Sequence, residues 1–217
     1  MNNTFASCIA LLICSTAAQA QEAGDMSVGL GVSTFGGNLE ASYVINEQLR
    51  VRGALMGGFS YEESGAESGE GSYEFDASLG GVAVLADYYP TQSGWRLSGG
   101  LFLSNTDFNG IAEATASNPI EIDGTDYTSG SVTSKAEFKN TVSPVLTTGY
   151  DLHFANNWTF SSEIGAIFIG GVDFSASSDD ATLQAEIDSS VDYQEARDDA
   201  DDLNIYPYLS FGLGYRF

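Results

Sequence analysis

From Leu209 to Phe217 the chain alternates without a break. Leu209, Phe211, Leu213, Tyr215 and Phe217 fall on one side, and Ser210, Gly212, Gly214 and Arg216 on the other. A period of two is the mark of a β-strand with one apolar face. In a soluble sheet that face needs a second layer to cover it. The same alternation recurs along the chain, with no helical layer available to pack on it. A sheet closed into a barrel, its apolar side in lipid, satisfies all such strands together.

The first twenty residues carry no charged side chain, hold an apolar run from Phe5 to Ile13 and end in Ala18-Gln19-Ala20. This small-x-small pattern marks residues 1–20 as a secretory signal peptide cleaved before Gln21, although the usual basic start is missing. Leu11-Leu12-Ile13-Cys14 loosely matches a lipoprotein signal, but Ile13 occupies a position that wants a small residue. Ordinary cleavage is therefore favoured, leaving residues 21–217 as one barrel domain. Both cysteines, Cys8 and Cys14, would leave with the signal. The mature chain would have no disulfide, and its stability must come from strand pairing and packing. No later stretch approaches the ~18 apolar residues of a membrane helix.

All thirty Asp/Glu and all seven Lys/Arg follow residue 20, so the mature chain keeps the net charge of −23. Nucleic acid binding needs a basic footprint and is excluded as an expectation. Direct docking on anionic lipid is disfavoured too. Divalent cations could bridge acidic loops to lipopolysaccharide phosphates, but solvation of loop tips is the simpler reading.

Eight strands follow from the alternation. Met26, Val28, Leu30 and Val32 mark the first; after Phe35-Gly36-Gly37, Leu39, Ala41 and Tyr43 face outward with Glu40 inward. Beyond Asn46-Glu47-Gln48, Leu49, Val51, Leu55 and Phe59 oppose Arg50, Arg52, Ala54 and Met56. A fourth strand spans 72–89, with a bulge expected at Gly80-Gly81. The fifth sets Trp95 and Leu97 against Arg96 and Ser98. The sixth spans 134–154, with Phe138 on the lipid face and a bulge or missing ladder bond expected at Pro144. Trp158, Phe160 and Ile164 mark the seventh, and the C-terminal run is the eighth. Segments 60–71, 105–133 and 175–203 read as long loops, the second containing a hairpin at Ile120–Gly124. Leu183, Ile187 and Val191 suggest a short helix in the third. The long connections share one side and three tight turns the other. Trp95, Trp158, Tyr43, Tyr89, Tyr150 and Tyr215 near the tight turns fit a periplasmic aromatic girdle. The fold class is thus an all-β, antiparallel up-and-down transmembrane barrel of eight strands with long extracellular loops.

With its closing Tyr206-Pro207-Tyr208-Leu209-Ser210-Phe211-Gly212-Leu213-Gly214-Tyr215-Arg216-Phe217, the chain resembles the small eight-stranded outer-membrane proteins of Gram-negative bacteria. That group includes the barrel of outer-membrane protein A and the W-type channel proteins. The resemblance implies that Phe211, Leu213, Tyr215 and Phe217 form a terminal signal read by the barrel-assembly machinery. It also implies residence in the outer membrane among lipid and lipopolysaccharide. It says little about activity, because barrels of many functions share such a tail.

The inward charges carry the most chemistry. Glu40, Arg50, Arg52, Arg96, Asp151 and Glu163 should project into a lumen only wide enough for side chains to fill, so they must pair or meet trapped water. A salt-bridged plug is the favoured reading, and a gated polar path the competing one. His153, the sole histidine, is expected beside a periplasmic turn. Lipid A-modifying barrel enzymes resemble a template with the catalytic His at the outer rim, and Ala155 removes the His-x-Ser arrangement of the deacylase type. A hydrogen-bonding role in the lumen is therefore favoured for His153 over catalysis. Asn105–Gly110 echoes the start of a calcium loop but has Asn at its first position and Ala116 where a bidentate Glu belongs, so a flexible loop is favoured. Asp198-Asp199-Ala200-Asp201-Asp202 shows no ordered ligand set. No cofactor and no metal are expected. These readings converge on a non-enzymatic outer-membrane barrel with structural or surface-interaction duties and an unidentified extracellular partner. The alternative is a narrow porin-like channel for small or apolar solutes.

Overall fold

A computed structural model describes residues 22–67, 70–91 and 93–217. The signal peptide expected at 1–20 and its cleavage site lie outside these residues. In chain order the strands are β1 Met26–Ser33, β2 Gly36–Asn46, β3 Leu49–Glu67, β4 Gly71–Tyr88, β5 Trp95–Ser104, β6 Asp107–Ala114, β7 Ile120–Ile122, β8 Thr125–Tyr127, β9 Gly130–Phe138, β10 Val142–His153, β11 Trp158–Phe168 and β12 Val172–Ser178. Helices α1 Ala181–Ser189 and α2 Val191–Asp201 then precede β13 Ile205–Arg216.

Eight of these strands close on themselves. β1 pairs with β2, β2 with β3, β3 with β4 and β4 with β5; β5 pairs with β10, β10 with β11, β11 with β13, and β13 returns to β1. Every neighbouring pair is antiparallel, so the barrel leaves no edge within the membrane. Leu30, Val32, Leu55, Leu146, Ile164 and Leu213 project outward and stay exposed. Apolar side chains ringing the whole barrel in this way are solvated by hydrocarbon. Cross-strand aromatic pairs set the periplasmic rim: Tyr150 lies opposite Trp95, and Trp158 meets Tyr215 edge-on with centroids 5.3 Å apart.

Above the membrane the chain departs from the sequence reading. Crossing a bilayer takes a tilted strand of about 9–11 residues, yet β3 has 19 and β4 has 18. Their surplus, with β6, β9 and β12, forms a five-stranded outer sheet in the order β3-β4-β6-β9-β12. Segments 60–71 and 105–133 are therefore mostly strand where loops were expected. Segment 175–203 holds the end of β12 and both helices. Alternation reports a strand only when one face is buried, and β3 beyond Gly58 is exposed on both faces. The hairpin expected at Ile120–Gly124 is present as β7 and β8.

Three side chains change sides relative to the alternation. The β3–β4 register shifts between Met56 and Phe59, where β3 spends two residues, Gly57 and Gly58, against Gly80 on β4. That bulge moves Phe59 from the lipid face to the lumen-side face, opposite Leu79. The sixth strand is interrupted at residues 139–141, so Phe138 turns inward and is buried. β4 stops at Tyr88; Tyr88 takes the outward position and Tyr89 is buried inside. Pro144 causes no bulge. It stays in register with Leu101 of β5, and β10 begins pairing with β11 only at Val145.

Gly36 is required where the β1–β2 turn meets this bulge. Its φ of +99° favours glycine, and a Cβ there would lie 2.7 Å from both the Gly57 carbonyl oxygen and the Phe59 nitrogen. The turn carries Phe35 over the barrel mouth. Phe35 packs on Phe102 and on Tyr206, each at 4.8 Å between ring centroids, and Tyr206 packs on Phe138 at 5.6 Å. With Met56, Leu85 and Ile167 these rings form an apolar plug across the extracellular half of the lumen.

Candidate functional site

Below the plug the inward positions turn ionic. Register places them at one height: Arg50 lies directly opposite Asp87, Asp87 opposite Ser98, Arg96 opposite Gly149, and Gly149 opposite Glu163. Arg96 also depends on a glycine, because a Cβ on Gly149 would approach its guanidinium carbon to 3.0 Å.

Arg52 is the hub. Its Nη1 and Nη2 grip Glu163 in a two-pronged contact, both at 2.8 Å. Its Nε and Nη2 each donate to Asp87 at 3.2 Å, and Nη1 reaches Glu40 at 3.1 Å. Arg50 bridges Asp87 at 2.8 Å and Asp151 at 3.1 Å, with its guanidinium carbon 5.3 Å from the centre of the Tyr89 ring. Arg96 bridges Asp151 at 3.3 Å and Glu163 at 3.2 Å, and donates to Ser98 at 3.0 Å. The Tyr89 hydroxyl donates to Asp151 at 2.7 Å, and the Thr147 hydroxyl donates to Glu163.

All six charged residues singled out from the sequence meet in this cluster. The sequence reading missed Asp87, which no solvent reaches and which contacts all three arginines. It lies beyond Gly80-Gly81, where a bulge was expected; β4 instead runs unbroken there, with the bulge on β3 at Gly57-Gly58, so Asp87 keeps the face of Leu79. Counting backward from the aromatic rim at Tyr88 would have found it. Tyr89 and Thr147 were missed as well. The cluster holds three guanidinium groups and four carboxylates, and Glu40 alone retains appreciable exposure. Such groups are tolerable in a low-dielectric interior only because nearly every lone pair and N–H is engaged.

Toward the periplasm the wall opposite the arginines is built from small and hydroxyl residues: Ser27, Gly29, Ser42, Thr159, Ser161 and Gly212. These line a cavity of about 40 Å³ beside Arg50, Arg52 and Glu40. A second cavity of about 20 Å³ lies at the rim against Asp25, His153 and Arg216. A water needs ~10–15 Å³ of such space, so these have room for a few waters. His153 Nδ1 is 2.9 Å from the Thr159 hydroxyl. Asn105–Gly110 is not a free loop, since Asp107–Gly110 belong to β6. Asp198, Asp199 and Asp201 are on α2, and Asp201 pairs with Lys139. Phe211, Leu213, Tyr215 and Phe217 all stand exposed on the outer face of the barrel.

No protein-family model and no curated protein matches the chain. Among solved structures it is similar to the crystal structures of Acinetobacter baumannii CarO and CarO2. Each superposes with a TM-score of 0.57 at 18% identity; the alignments cover 92% and 91% of this chain and 100% of the CarO and CarO2 chains. The likeness is one of fold: a small barrel of eight antiparallel strands, closed on itself and apolar on its outer side.

Proposed function

We propose that the protein is a non-enzymatic outer-membrane barrel whose lumen is sealed and whose outer sheet serves as a surface for contacts outside the cell. One observation carries this reading. Seven interlocked charged side chains cross the lumen below an aromatic plug that fills its extracellular half, leaving two small cavities toward the periplasm. The hydrogen bond between His153 and Thr159 supports a structural part for the sole histidine. In this reading residues 1–20 direct export, the barrel-assembly machinery reads the terminal Phe211, Leu213, Tyr215 and Phe217, and lipid and lipopolysaccharide surround the belt.

Planar-bilayer conductance tests it. The wild type should show near-zero current, and Arg50→Ala or Glu163→Ala should introduce a leak once Phe35→Ala also opens the aromatic plug that stands in series with the network. Steady wild-type conductance would reject a sealed lumen. A second reading, a narrow gated channel, is favoured by the polar wall and the cavities beside Arg50, which supply half of a path. It predicts wild-type openings of small amplitude, with Glu163→Ala altering their selectivity.

A further inference from the structure

We infer that the bare edge of β3 above the membrane is a strand-addition site for an extended cationic polypeptide whose basic and apolar residues alternate. The inference deepens the contact-surface reading and rests on it. β2 follows β3 only as far as the Gly36–Gly58 pair, because the chain has already turned at Thr34 and Phe35. From Phe59 to Glu67, β3 pairs with β4 alone among the described residues. Its other side therefore offers a strand-long row of backbone N–H and C=O groups, the template used in strand addition. The opposite edge of the outer sheet is different. There β12 is buttressed by α2 and α1, with Phe174 against Tyr193 and the Ser178 N–H donating to Gln184.

The two faces flanking the bare edge differ. On the lumen-side face stand Phe59 and Tyr61, 47% and 49% exposed, with the Tyr61 and Phe75 ring centroids 6.5 Å apart; farther out the same face carries Glu63, which accepts from the Tyr61 hydroxyl, and Glu67. On the outer face stands Glu62, opposite Asp76, with Glu74 opposite Ser64 on the next pair. A strand added here presents successive side chains to opposite faces. At the barrel end of the edge alternate residues would meet the rings of Phe59 and Tyr61, and the residues between them would meet Glu62 and its neighbours Asp76 and Glu74.

Charge also selects the occupant. Residues 59–79, 105–141 and 170–203 contain twenty-three of the thirty Asp/Glu and three of the seven Lys/Arg, a net charge of −20. A second copy pairing edge to edge would bring Glu62, Glu63 and Glu67 against their own counterparts, which like-charge repulsion opposes. Edges are often protected by lysine, proline or brevity; residues 59–67 contain neither lysine nor proline. The carboxylates that repel a copy of this chain attract a basic strand.

The test uses the full protein in lipid nanodiscs with two fluorescent ten-residue peptides of equal composition. One alternates Lys and Val; the other carries five Lys followed by five Val. The alternating peptide should bind at least tenfold more tightly and should slow amide exchange within 59–67. Charge reversal by E62K with E74K, both on exposed positions, should weaken it at least tenfold. Equal affinity for both peptides would overturn strand addition while leaving an acidic contact surface. Failure of both peptides to bind would overturn the contact-surface reading as well. A dimer protecting 59–67 in the peptide's absence would assign the edge to a second copy and overturn the proposal.

Discussion

Arg52 touches Glu40, Asp87 and Glu163 at once, so removing it leaves three carboxylates short of a partner. Breaking a buried ion pair by deleting one partner typically costs ~3–5 kcal/mol, because the orphaned charge remains desolvated. Arg52→Met should fall in that range in urea unfolding from lipid vesicles, and adding Glu163→Gln should recover part of the loss. Outside the membrane a smaller effect is readable through pH. Asp180 caps α1 by accepting from the Leu183 and Thr182 backbone N–H groups, which hold its carboxyl below the usual carboxylate range. A depressed folded pKa means that the cap's contribution is fully present above the unfolded value of ~3.9 and disappears as pH falls through the folded one. The protection factors of α1 amides, which are referred to the intrinsic exchange rate at each pH, should therefore fall on acidification below about pH 4, and Asp180→Asn should remove that dependence. Six members of the lumen cluster were legible because alternation fixes which side chains point inward. Asp87 was not, because the Gly80-Gly81 pair suggested a bulge that β4 does not have, and Tyr89 was not, because it lies one residue past the end of β4.

The elements show the same limit at larger size. Every barrel strand was legible, since lipid on one side and a crowded lumen on the other impose a period of two. The outer part of β3 carries Glu, Ser and Gly with no such constraint, and composition alone made it look like a loop, whereas β4 was legible from Ser72 onward. The break was local too: two glycines on β3 against one residue on β4 reverse the faces of all that follows. Gly36 sits where this bulge meets the β1–β2 turn, with a left-handed φ and backbone atoms filling the space a Cβ would need. Gly36→Ala should cost ~1–3 kcal/mol, the usual range for a backbone forced into a sparsely populated region. Urea midpoints give the magnitude. Amide exchange gives the location, and protection should be lost first in β3 beyond Gly58 while β10 and β11 keep theirs.

Taken whole, the molecule separates its charges by solvent. The barrel interior pairs nearly all of its ions with one another, whereas the outer sheet and helices carry a net charge of −20 with few partners. Exposed like charges repel over distances comparable to the Debye length, which shrinks from ~30 Å at 0.01 M salt to ~8 Å at 0.15 M. The paired ions of the lumen sit within contact distance and away from mobile ions, so screening barely reaches them. Raising monovalent salt across that range should increase amide protection in β6, β9, β12 and both helices and leave the lumen-lining strands unchanged. A uniform response would mean that the outer sheet and the barrel unfold as a single cooperative unit. A response confined to the outer sheet would mean that local openings there are independent of the barrel, as its all-or-none closure within the membrane requires.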